Sequence, residues 1–423
     1  MKLLAVYPYI PYPLNRGAYQ RAFHLLKGLA RDHEVHLLCL AEKCEGMEHK
    51  AIFEAFCEKV VFVPFEHPEW ERLFPKRLLN PRPSTIAHWN VPAVQQAVDE
   101  LVAAEKYDAV QVFDIVLAQF FMGKHEALPL IADRTRVDLY YQWMEHQNLN
   151  FSFKQRLLNY ENYTKLWFYE RAVARRCALQ VVCGIDDANF TRKFISPQVP
   201  LSVVPNGVDI GYFDANAVAG QPDPDPTLIF CGAMDYNPNV DALRWYFGNM
   251  HDALSKEIPN LKALIVGKDP GAEVRGYAQR FTNVTVTGGV PDVRPYYKRA
   301  WAQIVPLRIG GGTRLKIPES MAIGTPVVST TIGAQGLDLR HGEDILLADT
   351  PQEFIRETAR ILKDAVLRRH IQATGLATVK ARLAWPSLAA GLSETYASLV
   401  SKAPAAQASA RAGLPSSPVI AAS

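Results

Sequence analysis

The chain has 423 residues, 48% hydrophobic and 21% charged, with a net charge of +3 from 46 Lys and Arg against 43 Asp and Glu. That length exceeds one ordinary core and predicts two domains. The composition is that of a globular protein, and so weak a net charge argues against a nucleic-acid partner.

The first half alternates short apolar strands with helix-length segments. Leu3–Tyr7 is a strand, followed by a loop with Pro8, Pro11, Pro13 and Gly17 and the helix-periodic Gln20–Arg31. Val35–Leu40, Val60–Val63, Ala109–Phe113, Leu128–Ala132 and Val181–Cys183 read as further strands. Continuous apolar runs separated by helices predict a parallel, doubly wound α/β sheet. The pattern breaks at Val204–Asp209 (VPNGVD), and residues 214–226 are linker-like, rich in Pro and Asp. A second series follows, with strands at Leu228–Cys231, Lys262–Val266, Val284–Thr287, Ala302–Val305 and Pro326–Ser329 and helices at Asp241–Met250 and Pro351–Lys363. The expected domains are 1–205, 206–376, a helical segment 377–402 and a disordered tail 403–423. Two Rossmann-like domains face a cleft, with ligands expected at the carboxyl ends of their strands.

Met1-Lys2 leads directly into apolar sequence without a signal-peptide layout, and no apolar run approaches the roughly 18 residues that span a bilayer. The six cysteines form no C-x-x-C pair and sit mostly in apolar runs, which predicts free thiols in a reducing compartment. A cytoplasmic protein is expected.

The most informative stretch begins at Pro306 and reads PLRIGGGTRLKIPESMAIGTPVVST. Gly310, Gly311 and Gly312 let backbone N–H groups approach a ligand closely. The helix that follows offers orphan N–H donors and the positive end of its dipole to an anion. Arg314 and Lys316 add full charges suited to a diphosphate, and Glu319 is an acceptor for sugar hydroxyls. The alternative is a ligand-free glycine turn with a solvated Lys316–Glu319 helix pair.

Five segments resemble those of the GT-B glycosyltransferases of family four, retaining enzymes that use nucleotide-diphosphate sugars. They are PYPLNRGAYQRAFHLLKGLARDHEVHLL, VVPNGVD, FCGAMDYNPNVDAL, VTGGVPDVRPYYKRA, and the Pro306 stretch with GAQGL after it. The resemblance spans roughly residues 1–400 and is greatest toward sugar transferases of bacterial exopolysaccharide clusters. It implies a GT-B fold with the C-terminal helix packing back on the N-terminal domain. It also implies that Glu319 binds the donor ribose, that Gly310, Gly311, Gly312 and Thr313 hold diphosphate and sugar, and that Gly17 reaches toward the donor phosphate. Gly232 and Asn237 would lie on the donor side, with Val290 along the base.

Three features depart from the family pattern. Gly311 stands where the first glutamate of the E-x7-E motif belongs. After Gly232 the usual Arg and Lys are missing, which leaves Arg314 and Lys316 to meet phosphate charge. Pro318 interrupts the phosphate helix if Thr313 is its N-cap, so either the helix starts later or its first turn is irregular.

The resemblance implies sugar transfer with retention to a saccharide or lipid-linked saccharide acceptor, without a metal cofactor, in surface polysaccharide synthesis. Rival readings are a sugar-nucleotide epimerase of the same fold and a non-catalytic sugar-nucleotide-binding protein. Asp133, at a strand end, either faces the transferred sugar or simply ends its strand, and Asp138 reads as a helix-start cap. Arg16 and Arg21 read as solvated cations or as contacts to acceptor or phosphate, while Tyr140, Tyr141 and Trp143 read as core or as an acceptor platform. Asp235 and Asn237 read as turn and cap residues or as cleft residues. Trp70–Arg82 mixes aromatic, apolar and basic side chains and reads as a mobile loop or as a peripheral contact with the inner face of the membrane.

Overall fold

Each predicted apolar run in the first half forms a strand, because a strand covered by helices on both faces needs apolar side chains at every position. The structure is a computed structural model and describes residues 1–67, 76–148, 152–309 and 315–412. The first sheet comprises β1 (Lys2–Tyr7), β2 (Glu34–Glu42), β3 (Lys59–Phe65), β4 (Ala109–Phe113), β5 (Leu130–Asp133), β6 (Cys177–Val182) and β7 (Leu201–Val203). Its order is β3-β2-β1-β4-β5-β6-β7, and every pairing is parallel. In β1, Leu4 and Val6 enter one core, while Leu3, Ala5 and Tyr7 enter the other.

The second sheet comprises β8 (Thr227–Cys231), β9 (Lys262–Val266), β10 (Val284–Gly288), β11 (Ala302–Val305), β12 (Val327–Ser329) and β13 (Leu346–Leu347). It runs β10-β9-β8-β11-β12-β13, also parallel throughout. Both sheets therefore reverse strand order at one place, between β1 and β4 and between β8 and β11. A crevice opens there outside the carboxyl ends of the strands, and loops after those four strands are the ones placed to hold a ligand.

The chain leaves the first sheet after β7 and returns at Leu383, whose carbonyl accepts from Val208 N–H at 2.8 Å. The C-terminal helix Trp385–Ala412 then lies along the first helix, Gly17–Leu29. Trp385, Ala389, Leu392 and Tyr396 are buried in the N-terminal core, as the resemblance implies. Trp385 stacks on His24 with ring centroids 5.4 Å apart, and Ser393 Oγ donates to Asp32 at 2.8 Å. This helix runs past Lys402, where the reading placed the start of a disordered tail; residues 413–423 lie outside the described residues. All six cysteines are free, four of them buried, and Cys44 is exposed. Among the described residues no helix is long and apolar enough to cross a membrane.

Candidate functional site

The crevice of the second sheet is built from the loops after β8 and β11. Gly232 follows β8 directly, and a Cβ there would stand 2.7 Å from Asn239 Nδ2 and 2.9 Å from Lys316 Nζ. Only glycine leaves room for both. Lys316 Nζ donates to Asn239 Oδ1 at 2.7 Å and lies 4.4 Å from the centre of the Phe230 ring. Asn239 Nδ2 in turn donates to the Ala233 carbonyl at 2.8 Å, which holds the loop in place. Lys316 therefore stands beside Gly232.

The helix carrying these groups is Lys316–Ile323. Pro318 falls in its first turn, where an N–H has no helical acceptor in any case, so the proline removes no bond. The helix starts later than Thr313, one of the two outcomes the sequence allows. Glu319 sits one position further on and is half-buried. Burial pushes its carboxyl up to about 7, against a hydrogen bond from Gln20 and the charge of Lys316. Gly310, Gly311, Gly312, Thr313 and Arg314 lie outside the described residues. Arg308, at the start of that loop, pairs with Asp241 (Nε–Oδ2 3.1 Å) and remains partly exposed.

The N-terminal domain closes this crevice. A Cβ on Gly17 would stand 2.9 Å from Leu315 Cδ1, so the first helix begins directly against the end of the loop after β11. Gln20, one turn on, contributes the hydrogen bond to Glu319. Further round, Gln335 Nε2 donates to Tyr140 Oη at 3.2 Å, so the domains also meet through the GAQGL segment. The structure thus brings Gly17, Gly232, Lys316 and Glu319 to one crevice. Asn237 is exposed at the start of the helix Asn237–Asn249 and makes no side-chain cap. Val290 is half-buried after β10 and packs on the core of the second domain.

Asp133 lies elsewhere. Its carboxylate is fully buried at the end of β5 and takes two hydrogen bonds from Arg21, at 2.6 and 3.0 Å. Arg21 is not a solvated cation: it too is fully buried, and its Nη1 also donates to the Val204 carbonyl at 2.8 Å and to Asn206 at 3.1 Å. The pair ties the first helix to the sheet and to the segment that leaves the domain. In this geometry Asp133 presents no surface to a ligand. Asp138 starts the helix Asp138–Asn148 and pairs with Arg136 at 2.9 Å. Tyr141 is buried, while Trp143 is exposed beside half-buried Tyr140.

Sequence reasoning missed Asn239, Gln20 and Asp114. Asp114 follows β4 at the N-terminal domain's own switch point. Its backbone, φ 64° and ψ 153°, is a conformation essentially confined to glycine. Its carboxylate accepts from Thr135 N–H at 3.0 Å and from Thr135 Oγ1 at 3.1 Å. Burial, with Asp138 nearby, pushes it up to about 6. The only signal in the sequence is its place after a strand.

Of the segment Trp70–Arg82, residues 70–75 lie outside the described residues. Arg77 is half-buried and pairs with Glu161 at 2.8 Å, while Arg82 stays exposed and donates to Gln119 at 3.1 Å.

Residues 225–364 match the family model for group 1 glycosyl transferases. An uncharacterized 44.6 kDa protein from the cps region of Klebsiella pneumoniae is 25% identical over 144 residues, which are 32% of this chain and 37% of that protein. The match thus spans well under half of that relative. Among solved structures, sucrose-phosphate synthase of Thermosynechococcus elongatus superposes with a TM-score of 0.70 at 19% identity, covering 95% of this chain and all of the other. Anabaena Alr3699/HepE, solved in complex with UDP, superposes with a TM-score of 0.64 at 15% identity over 94% of this chain and 100% of its own. With the two parallel sheets, these likenesses establish the two-domain GT-B fold.

Proposed function

We propose that this protein is a glycosyltransferase that moves a sugar from a nucleotide-diphosphate donor, with retention, to a saccharide or lipid-linked saccharide acceptor. The observation that carries the reading is the cluster of Gly232, Lys316 and Glu319 at the donor-side switch point, closed by Gly17 and Gln20 from the other domain. The group 1 glycosyl-transferase match over residues 225–364, which include Gly232, Lys316 and Glu319, supports it, as does the UDP complex of a structural neighbour.

In this reading the diphosphate lies against the start of the Lys316–Ile323 helix. The N–H groups there have no helical partners, and the Lys316 ammonium adds a full charge. Negative charge grows on the leaving nucleoside diphosphate in the transition state, so donors already fixed in place stabilise it more than the bound substrate. Glu319, as a carboxylate, accepts from the ribose hydroxyls. No resident metal enters the proposal. The acceptor approaches from the first sheet, and the pathway is surface polysaccharide synthesis at the inner face of the membrane.

Thermal unfolding with a panel of nucleotide-diphosphate sugars tests the donor site, since a ligand of the folded state raises the midpoint. A shift with one donor, lost in Glu319→Ala, is expected. The selected donor is then incubated alone and with a saccharide panel. Glycoside formed with the donor's anomeric configuration, read by NMR, is the expected product. An epimerised donor in the absence of acceptor, or binding without turnover across the panel, overturns the proposal.

A further inference from the structure

The long helix Phe153–Arg176 buries Leu166, Val173 and Ala174 against the N-terminal core. Its opposite side is unusual. Phe153, Leu157, Tyr160 and Phe168 are 85%, 61%, 69% and 63% exposed. At 100° per residue they fall within an arc of about 80°, along about 22 Å of helix. Exposed apolar side chains scattered singly are ordinary, but four on one face of a helix, interrupted only by exposed Thr164, mark an interaction surface.

The row extends onto the neighbouring turn, Thr191–Ile195. There Phe194 is exposed, and its carbonyl accepts from Trp167 Nε1 at 2.9 Å. Cations surround it. Lys154, Arg156, Arg175, Arg192 and Lys193 are exposed, Lys193 lies over the Phe194 ring at 5.1 Å, and Arg171 lies over Trp167 at 4.8 Å. The only acids in the helix, Glu161 and Glu170, are neutralised by Arg77 at 2.8 Å and by Arg134 at 2.6 Å. Uncompensated charge on the described part of this face is therefore positive.

We propose that this face docks the protein on an anionic lipid surface. The aromatic and aliphatic side chains enter the headgroup boundary while the cations meet lipid phosphates, the two contributions that hold an amphipathic helix at a membrane. Charge selects this occupant over a second copy of the chain. Antiparallel pairing of the face with itself sets Lys154 and Arg156 against Arg171 and Arg175, cation on cation. The docked orientation also has a geometric consequence. A pocket of about 430 Å³ lined by Trp143, Tyr160 and Tyr163 opens beside the face. It shares Arg77, Ser84, Thr85 and Gln142 with a second pocket of about 540 Å³, which reaches Arg136 and Asp138 just past the carboxyl end of β5. A lipid-borne group would thus have a groove from the membrane toward the carboxyl ends of the first sheet.

The test is co-sedimentation of the full chain with vesicles of phosphatidylcholine alone and of phosphatidylcholine with 30% phosphatidylglycerol (roughly cellular charge). Two variants accompany it: Phe153→Ser/Leu157→Ser/Phe168→Ser, and Lys154→Glu/Arg156→Glu. Wild type is expected to bind anionic vesicles about tenfold or more tightly than neutral ones, as several juxtaposed cations imply. The apolar variant should lose most of that binding with an unchanged melting midpoint, and the charge variant should lose the preference for anionic lipid. Absence of vesicle binding by wild type overturns the proposal, as does undiminished binding by the apolar variant. So does a wild-type dimer in light scattering that the apolar variant converts to monomer, since the face would then belong to a second copy.

Discussion

Glu319→Gln is the most discriminating substitution in the proposed donor crevice. The carboxyl's ordinary value of 4.5 rises to about 7 because burial penalises its charged form. The folded state therefore holds a proton that the unfolded chain has already released between about pH 4.5 and 7. Stability from this group is greatest at or below about pH 4.5, falls as pH rises through that window, and levels off above 7. The interval corresponds to about 3 kcal/mol at most, and less once water reaching the half-buried group is counted. Glutamine keeps the shape and a hydrogen bond to Gln20 but cannot ionise. The variant should match wild type near pH 4.5 and melt at a higher temperature near pH 8.

Binding runs the other way. Ribose hydroxyls need an ionised acceptor, and a group titrating near 7 is about 9% ionised at pH 6 and about 91% at pH 8. The dissociation constant for the donor selected by thermal shift should fall about tenfold between those values in wild type. In Glu319→Gln it should be weaker and flat. Titration calorimetry at pH 6, 7 and 8 measures both. Wild-type affinity that does not change with pH, or a glutamine variant that binds as tightly as wild type, would refute the reasoning.

Asp133→Ala leaves the buried Arg21 guanidinium without its carboxylate, so a loss of about 3–5 kcal/mol in denaturant unfolding is expected. Lost turnover with an unchanged midpoint would instead return Asp133 to a role at the sugar. Gly232→Ala places a methyl 2.7 Å from Asn239 Nδ2 and 2.9 Å from Lys316 Nζ. The lysine must shift, so donor affinity should fall by about tenfold or more while stability drops by about 1–3 kcal/mol; unaltered calorimetric affinity counts against Lys316 as a phosphate ligand. Leu392→Ala, in the C-terminal helix, should cost about 2–5 kcal/mol by opening a cavity in the N-terminal core. A cost below about 1 kcal/mol would mean that the helix is not docked there.

Most strands were legible because a parallel strand buried on both faces is a local apolar run, and β4, β9 and β11 have the bounds read from sequence. The two overlooked strands, β7 and β13, have three and two residues at sheet edges, too few to leave a pattern. Lys316 and Glu319 were legible as a cation and an acceptor in the glycine-rich stretch, whereas Gly17 and Gly232 entered only through the family resemblance. The sequence alone therefore determined the two αβ series and the break near residue 205.

What it left open were partners far apart along the chain. Nothing near Arg21 says that its carboxylate comes from Asp133, or that Asn206 closes the same cluster. Nothing near Asn239 says that it, rather than Asn237, turns inward to hold Lys316. The long helix carries apolar residues all round, and only its packing shows which ones stay in water. Local pattern records whether a side chain prefers burial. Which groups meet once buried depends on strand order and on the crossing of helices, and only the assembled tertiary structure fixes those.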